Sequence, residues 1–307
     1  MKKKILIILI VVGVLVIISG VVLAVVLIDM DKKNNYLAYE LSVSGEYYIV
    51  TGGRTLNTAK NLELEIPSSH NNLPVKEIKN SAFEKSTAVS KFVLPDTVEK
   101  IGEKAFSYCL NLEDINIPNS VTNIGENAFQ YCKIQEVNLP DNLESIKYGL
   151  FYNCSKIKTI TIPKSVKSIG DYAFTGCIRL RDVIIEDDSN LLTIGERAFS
   201  NCNRLIDIDF GENSKLKSIE TNAFAWCTQL TEIELPYTLE MMGNGVFNST
   251  INLTDIEFEN QMNWYIVKDV DFWKKKINGV MLDVSNGSYN VDFFKNQYYD
   301  WYWYRGE

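Results

Sequence analysis

Histidine is almost absent: His70 is the only one in 307 residues. That removes most zinc sites and every catalytic scheme that needs two imidazoles, and it leaves Ser-His or Cys-His chemistry hanging on one side chain. No C-x-x-C pair and no phosphate-cradling glycine loop occurs either. Positive charge is sparse beyond the first residues. Residues 1–35 carry five lysines against two aspartates, so the net charge of -8, less +3, leaves -11 on residues 36–307. Such a balance excludes a nucleic-acid groove. With 46% hydrophobic and 23% charged residues, the chain has enough apolar material for a large core and is not a disordered segment.

The first feature present is one long apolar run. Ile5 to Ile28 is free of charge and contains one serine and two glycines. At about 1.5 Å per residue, a helix of this length exceeds the roughly 30 Å hydrocarbon core of a bilayer. Lys2, Lys3 and Lys4 precede the run, and a stretch without net charge, Asp29-Met30-Asp31-Lys32-Lys33, follows it. The positive-inside rule then predicts a cytoplasmic N-terminus and an exported remainder. A cleaved secretory signal is the alternative, but its apolar region is shorter, about 7 to 15 residues, and ends in a small-x-small site, which Ala24-Val25-Val26-Leu27-Ile28 lacks.

The second feature is a repeat. Phenylalanine recurs at positions 83, 106, 129, 151, 174, 199, 224 and 247, at intervals of 23, 23, 22, 23, 25, 25 and 23 residues. Five residues before each stands Ile78, Ile101, Ile124, Ile146, Ile169, Ile194, Ile219 or Met242, often followed by glycine. Three residues after come Ser86, Cys109, Cys132, Cys154, Cys177, Cys202, Cys227 and Thr250, so all six cysteines hold one repeat position. Each unit continues into an alternating apolar segment, as in Leu112-Glu113-Asp114-Ile115-Asn116-Ile117-Pro118, which reads as a strand closed by proline. The two long intervals have Glu186-Asp187-Asp188 and Gly211-Glu212-Asn213 after the strand, so the insertions fall in a loop. Units this small cannot bury an apolar face alone. They must stack, with the strands in one parallel ladder and the Ile-Gly-x-x-Ala-Phe segment returning along the other side.

Residues Leu112 to Cys132, Leu-Glu-Asp-Ile-Asn-Ile-Pro-Asn-Ser-Val-Thr-Asn-Ile-Gly-Glu-Asn-Ala-Phe-Gln-Tyr-Cys, closely resemble the unit of the Treponema-type, or BspA-like, leucine-rich-repeat family. The resemblance covers residues 62–258. It implies a leucine-rich-repeat solenoid, a parallel β ladder with short helical or irregular convex segments, displayed on a cell surface and binding macromolecules through its concave sheet. It implies no catalytic residues.

The organisation expected is a cytoplasmic stub, transmembrane anchor and linker at 1–35, an N-terminal hairpin cap at 36–75, repeats at 76–259 and an aromatic cap at 260–307. In the hairpin, Tyr39, Leu41 and Val43 alternate on one side of Ser44-Gly45 and Tyr47, Ile49 and Thr51 on the other. Trp264, Trp273, Trp301 and Trp303 are expected to cover the last rung, because a terminal repeat needs a cap. The cysteines are expected to be buried and unpaired, since serine and threonine replace them in the end units. His70, within Ser68-Ser69-His70-Asn71-Asn72, is expected in a surface loop.

The open face of the predicted sheet carries the candidate ligand-binding residues. Alternation places Lys91 and Val93, Asp114 and Asn116, Glu136 and Asn138, Thr159 and Thr161, and Asp182 and Ile184 outward, a mixed series. Then follow Asp207 and Asp209, Glu232 and Glu234, and Asp255 and Glu257, six carboxylates in two columns. Calcium or a basic segment of an extracellular protein would relieve their repulsion, with a glycan as another partner. The function expected is a cell-surface binding or adhesion module; the alternatives are a structural envelope protein and a carbohydrate-processing accessory. If the N-terminus lies inside, protease added to intact cells cuts the chain beyond residue 35 along with a known surface marker; an intact chain beside a cut marker contradicts that topology.

Overall fold

The computed structural model describes residues 29–30, 37–53, 61–259, 264–267, 280–282, 291 and 302–305. The apolar run 5–28, Trp273 and Trp301 lie outside them. Among the described residues no helix is long and apolar enough to cross a membrane.

Within residues 62–258 the repeats wind into a parallel β-solenoid. Its longer strands are Leu62–Glu65, Val89–Val93, Asp114–Asn116, Thr159–Ile162, Asp182–Ile185, Asp207–Asp209, Glu232–Leu235 and Asp255–Phe258. Register advances by one unit per strand, Thr159 opposing Asp182 and Asp182 opposing Asp207. Alternation holds: in Asp207–Asp209 the central Ile208 is buried and both aspartates are exposed. The strand pairing is interrupted after Asn116 and after Asp209. The first gap falls in the 22-residue unit, where Cys132 is followed by Ile134 one residue sooner than Cys109 is by Leu112. The second follows the inserted Gly211-Glu212-Asn213. Repeat length alone does not break the pairing, since Asp182 and Asp207 pair in register across a 25-residue unit, and within the first gap Ile134, Val137 and Leu139 stay buried.

The expectation of one ladder is corrected. The isoleucines before each phenylalanine lie in a second parallel ladder of two-residue strands, including Lys100–Ile101, Asn123–Ile124, Ser168–Ile169 and Ser218–Ile219. Turns rather than helices connect it to the longer strands. At the turn after the long strand, the proline carbonyl accepts the amide three residues on, as Pro118 does from Val121 at 2.9 Å. The serine between them donates to the unit before, Ser120 Oγ to the Val98 carbonyl at 2.7 Å and Ser165 Oγ to that of Leu143 at 2.8 Å.

A third set of contacts joins the units at the phenylalanine turn. The residues two before and two after each phenylalanine have left-handed backbone, with φ of 52–74°, even where they are Lys104, Tyr108, Tyr172, Arg197 or Trp226. Each such conformation is disfavoured for a side chain with a Cβ. What holds it is backbone bonding. At the first interface the amides of Ser81, Phe83 and Lys85 donate to the carbonyls of Glu103, Ala105 and Ser107, each at 2.8 Å. The same trio recurs at all seven interfaces, ending with Asn222, Phe224 and Trp226 on Asn244, Val246 and Asn248 at 2.8–2.9 Å. The alternating backbone points every second N–H at the next unit, and the ladder runs unbroken past both gaps in the strand pairing.

Behind it the eight phenylalanine rings form a column, with centroids 5.1–6.0 Å apart and planes within 16°. All eight are buried, each ring contributing about 1.5–3 kcal/mol from burial. The glycine after the isoleucine has a steric cause: a Cβ on Gly125 would lie 2.3 Å from the Glu103 nitrogen.

At the N-terminal end, Ala38–Leu41 and Tyr48–Gly52 form an antiparallel hairpin, and its second strand runs parallel to Leu73–Ile78. Tyr39 and Val50 are buried, but Leu41 and Val43 face solvent. At the other end Tyr302–Arg305 pairs antiparallel with Met241–Met242 and with Trp264–Val267, and Trp264 and Trp303 are buried. Gly125→Ala should lower stability by about 1–3 kcal/mol, because rigid backbone has to move to admit the methyl. Chemical denaturation measures it, and an unchanged midpoint contradicts the close approach.

Candidate binding face

The six carboxylates predicted from alternation lie together on the open side of the longer-strand ladder. Glu232 opposes Asp255 and Glu234 opposes Glu257 across one strand pair, and Asp182 opposes Asp207 across another. Asp207, Asp209, Glu232, Glu234 and Glu257 are exposed, while Asp182 and Asp255 are half-buried. A cleft of about 380 Å³ is lined by all six, from Asp207 to Glu257. The backbone amide of Gly211 donates to Asp209 Oδ1 at 2.9 Å, so the inserted loop fixes one acid. Asp255 Oδ1 is buried without a hydrogen-bond partner among the described residues. Among the described residues no lysine or arginine pairs with any of the six.

The N-terminal half of the same face differs. Lys91 Nζ lies 2.7 Å from Asp114 Oδ2 across adjacent strands, and Asp182 Oδ2 accepts from Thr159 Oγ1 at 3.4 Å. Charge on this face is therefore mixed early, with Asp114 paired to Lys91, and acidic throughout the late half. Adjacent rungs about 4.8 Å apart make the late half a concentrated negative field. Among the described residues no group of three or more histidine, cysteine, aspartate or glutamate side chains is arranged to hold a metal ion.

The cysteines lie on the inside and are all free and buried. Each thiol donates to the phenylalanine carbonyl of the unit before, Cys132 Sγ to Phe106 at 3.2 Å and Cys154 Sγ to Phe129 at 3.0 Å. In the last unit Thr250 Oγ1 makes the same bond to Phe224 at 3.0 Å. The carbonyl's other lone pair takes the local turn amide, as Phe106 does from Cys109 at 3.2 Å. Burial raises the thiols of Cys132, Cys154, Cys177, Cys202 and Cys227, that of Cys154 to about 12. These protonated thiols are structural donors, not nucleophiles.

His70 is not a loop residue. It lies in the two-residue strand Ser69–His70, its ring stacked on Tyr39 at 4.0 Å and edge-on to Tyr48 at 4.8 Å. Sequence reasoning also passed over a tyrosine strip on the turn surface. Tyr108 stacks on Tyr131 at 4.5 Å, Tyr131 meets Tyr152 edge-on at 5.5 Å, and Arg197 Nη1 donates to the Tyr172 hydroxyl at 2.6 Å. Tyr108 and Tyr131, each two residues after the phenylalanine of its unit, were the available signal, whereas Tyr152 and Tyr172 hold other positions.

The sequence model of the BspA-type leucine-rich repeat region matches residues 76–190 and 145–278, with six copies. The chain belongs to this family of leucine-rich-repeat proteins. Among solved structures it is similar to a leucine-rich repeat protein of T. pallidum, at 23% identity and a TM-score of 0.58, over 73% of this chain and 90% of that one. A leucine-rich cell surface protein of Faecalibacterium prausnitzii shares 24% identity over 73% of this chain and 75% of its own, with a TM-score of 0.49. No curated protein sequence matches the chain significantly.

Alkaline titration tests the thiol column. A thiol titrates near 8.5 in the unfolded chain, whereas folded Cys154 is raised to about 12. The stabilisation from keeping it neutral is complete below the unfolded value and is lost as pH rises toward the folded one. In Cys154→Ser the hydroxyl keeps the bond to Phe129 but does not ionise, so its thermal midpoint should fall less steeply than the parent's between about pH 9 and 11. Parallel curves contradict the assignment.

Proposed function

We propose that this chain is a membrane-anchored, surface-displayed binding module whose acidic half-face receives a basic segment of an extracellular macromolecule. One observation carries the reading: six carboxylates line one cleft, with no cation paired to them among the described residues. A partner presenting lysines or arginines gains charge-assisted hydrogen bonds there and is steered over a distance set by the Debye length of about 8–10 Å. The absence of any three-residue metal arrangement among the described residues favours a basic polypeptide over calcium. Carboxylates alone do not favour a neutral glycan. Membership of the BspA-type family and the run 5–28 support export and anchoring. The hairpin at one end and the paired tail strands with Trp264 and Trp303 at the other serve, on this reading, as the caps that a stack requires.

The test is capture on immobilised poly-lysine and on matrix-protein extract, with the parent and a variant carrying Asp207→Asn, Asp209→Asn, Glu232→Gln and Glu234→Gln. Binding by the parent should weaken with salt, and the variant should lose at least about tenfold in affinity at 0.15 M salt. Equal capture by both overturns the proposal.

A further inference from the structure

The N-terminal hairpin holds an exposed apolar tip in a defined relation to the chain that precedes it. Asp29–Met30 forms an edge strand antiparallel to Ala38–Leu41, with Met30 opposite Ala38 and Asp29 opposite Tyr39. Traced backward, this strand heads toward Glu40 and Leu41, the end of the hairpin at which the turn 42–47 lies. The apolar run ends at Ile28, the residue before this strand. Three residues beyond Glu40 stands Val43, about 10 Å away at 3.3 Å per residue.

Val43 has a relative exposure of 107% and Leu41 of 42%, although alternation in the sequence would bury both. From Leu41 to Gly45 there is no charged residue, and Glu40 is paired with Lys79 at 2.6 Å. The turn pairs four of its own amides. The amide of Ser42 donates to the Tyr47 carbonyl at 2.9 Å, that of Gly45 to the Ser42 carbonyl at 2.9 Å, and those of Glu46 and Tyr47 to Ser42 Oγ at 3.3 and 3.2 Å. These bonds remove four amides from the polar groups that would lose water on entering the interfacial region of a bilayer.

We infer that the tip of this hairpin, Leu41 and Val43, docks on the outer face of the bilayer that residues 5–28 span. The inference rests on the anchoring proposed above. Because the tip is tethered within a few residues of the lipid, contact is intramolecular, and the high effective concentration lets a small apolar tip suffice. Docking turns a flexible attachment into an oriented one, with the hairpin end of the solenoid held against the membrane.

The experiment uses the full chain in phosphatidylcholine vesicles. Val43→Cys and, as a distant reference, Tyr237→Cys are labelled with an environment-sensitive fluorophore; the six native thiols are buried and stay unlabelled in the folded protein. Nitroxide-bearing lipids should quench the label at position 43 at least about twofold more than the label at 237, with a blue-shifted emission at 43. Equal quenching in a chain that resists alkaline extraction from the vesicles overturns the docking and leaves the anchor standing. A chain extracted from the vesicles overturns the anchor, and the docking with it.

Discussion

Every part of this solenoid depends on three backbone hydrogen bonds per turn at the phenylalanine corner, from the amides two before, at and two after the ring. These bonds persist at both points where the longer strands stop pairing, so continuity of the stack resides there. They also oblige two residues per unit to take left-handed backbone, a cost that a lone turn of this sequence could not meet. Stacked rings fix the spacing, and the thiols tie each unit to the carbonyl of the one before. A unit is thus held by its neighbours rather than by itself, which is the general condition of a repeat protein.

This division leaves the open face of the longer strands nearly free of structural duty. Inward residues such as Ile208, Ile233 and Ile256 serve the core, and the side chains between them are available for recognition. Six acids can therefore gather without threatening the fold, since exposed like charges cost little once screened. The Asp209 contact to Gly211 shows the insertion shaping this face, because the lengthened loop supplies the amide that secures one of the acids.

Much of this was legible in the sequence because identical positions recur at a fixed period. The phenylalanine column, the cysteine position and the outward acids follow from spacing and from strand alternation. The second ladder did not, because its strands are two residues long and too short to display alternation. The left-handed positions were hidden for another reason: lysine, tyrosine, arginine and tryptophan occupy many of them, and glycine marks them only at Gly149, Gly176 and Gly245. His70 was misplaced because its polar neighbours suggest a loop, whereas Tyr39 and Tyr48, which surround it, come from a distant stretch of chain. Leu41 and Val43 followed the alternating pattern and yet stand in solvent, since the hairpin turn carries them past the last residue that could cover them.

Amide hydrogen exchange, resolved to single residues, tests the central claim that the phenylalanine-corner ladder carries the stack. The amides of Phe151, Phe174 and Phe199 and of the residues two to either side should be among the most slowly exchanging in the protein. Protection should decline together toward Phe83 and toward Trp226, as end units open first. Corner amides exchanging as fast as those of Val43 and Ser44 in the exposed hairpin turn, while the longer strands stay protected, would contradict the account and place the stack's stability in the strand ladder instead.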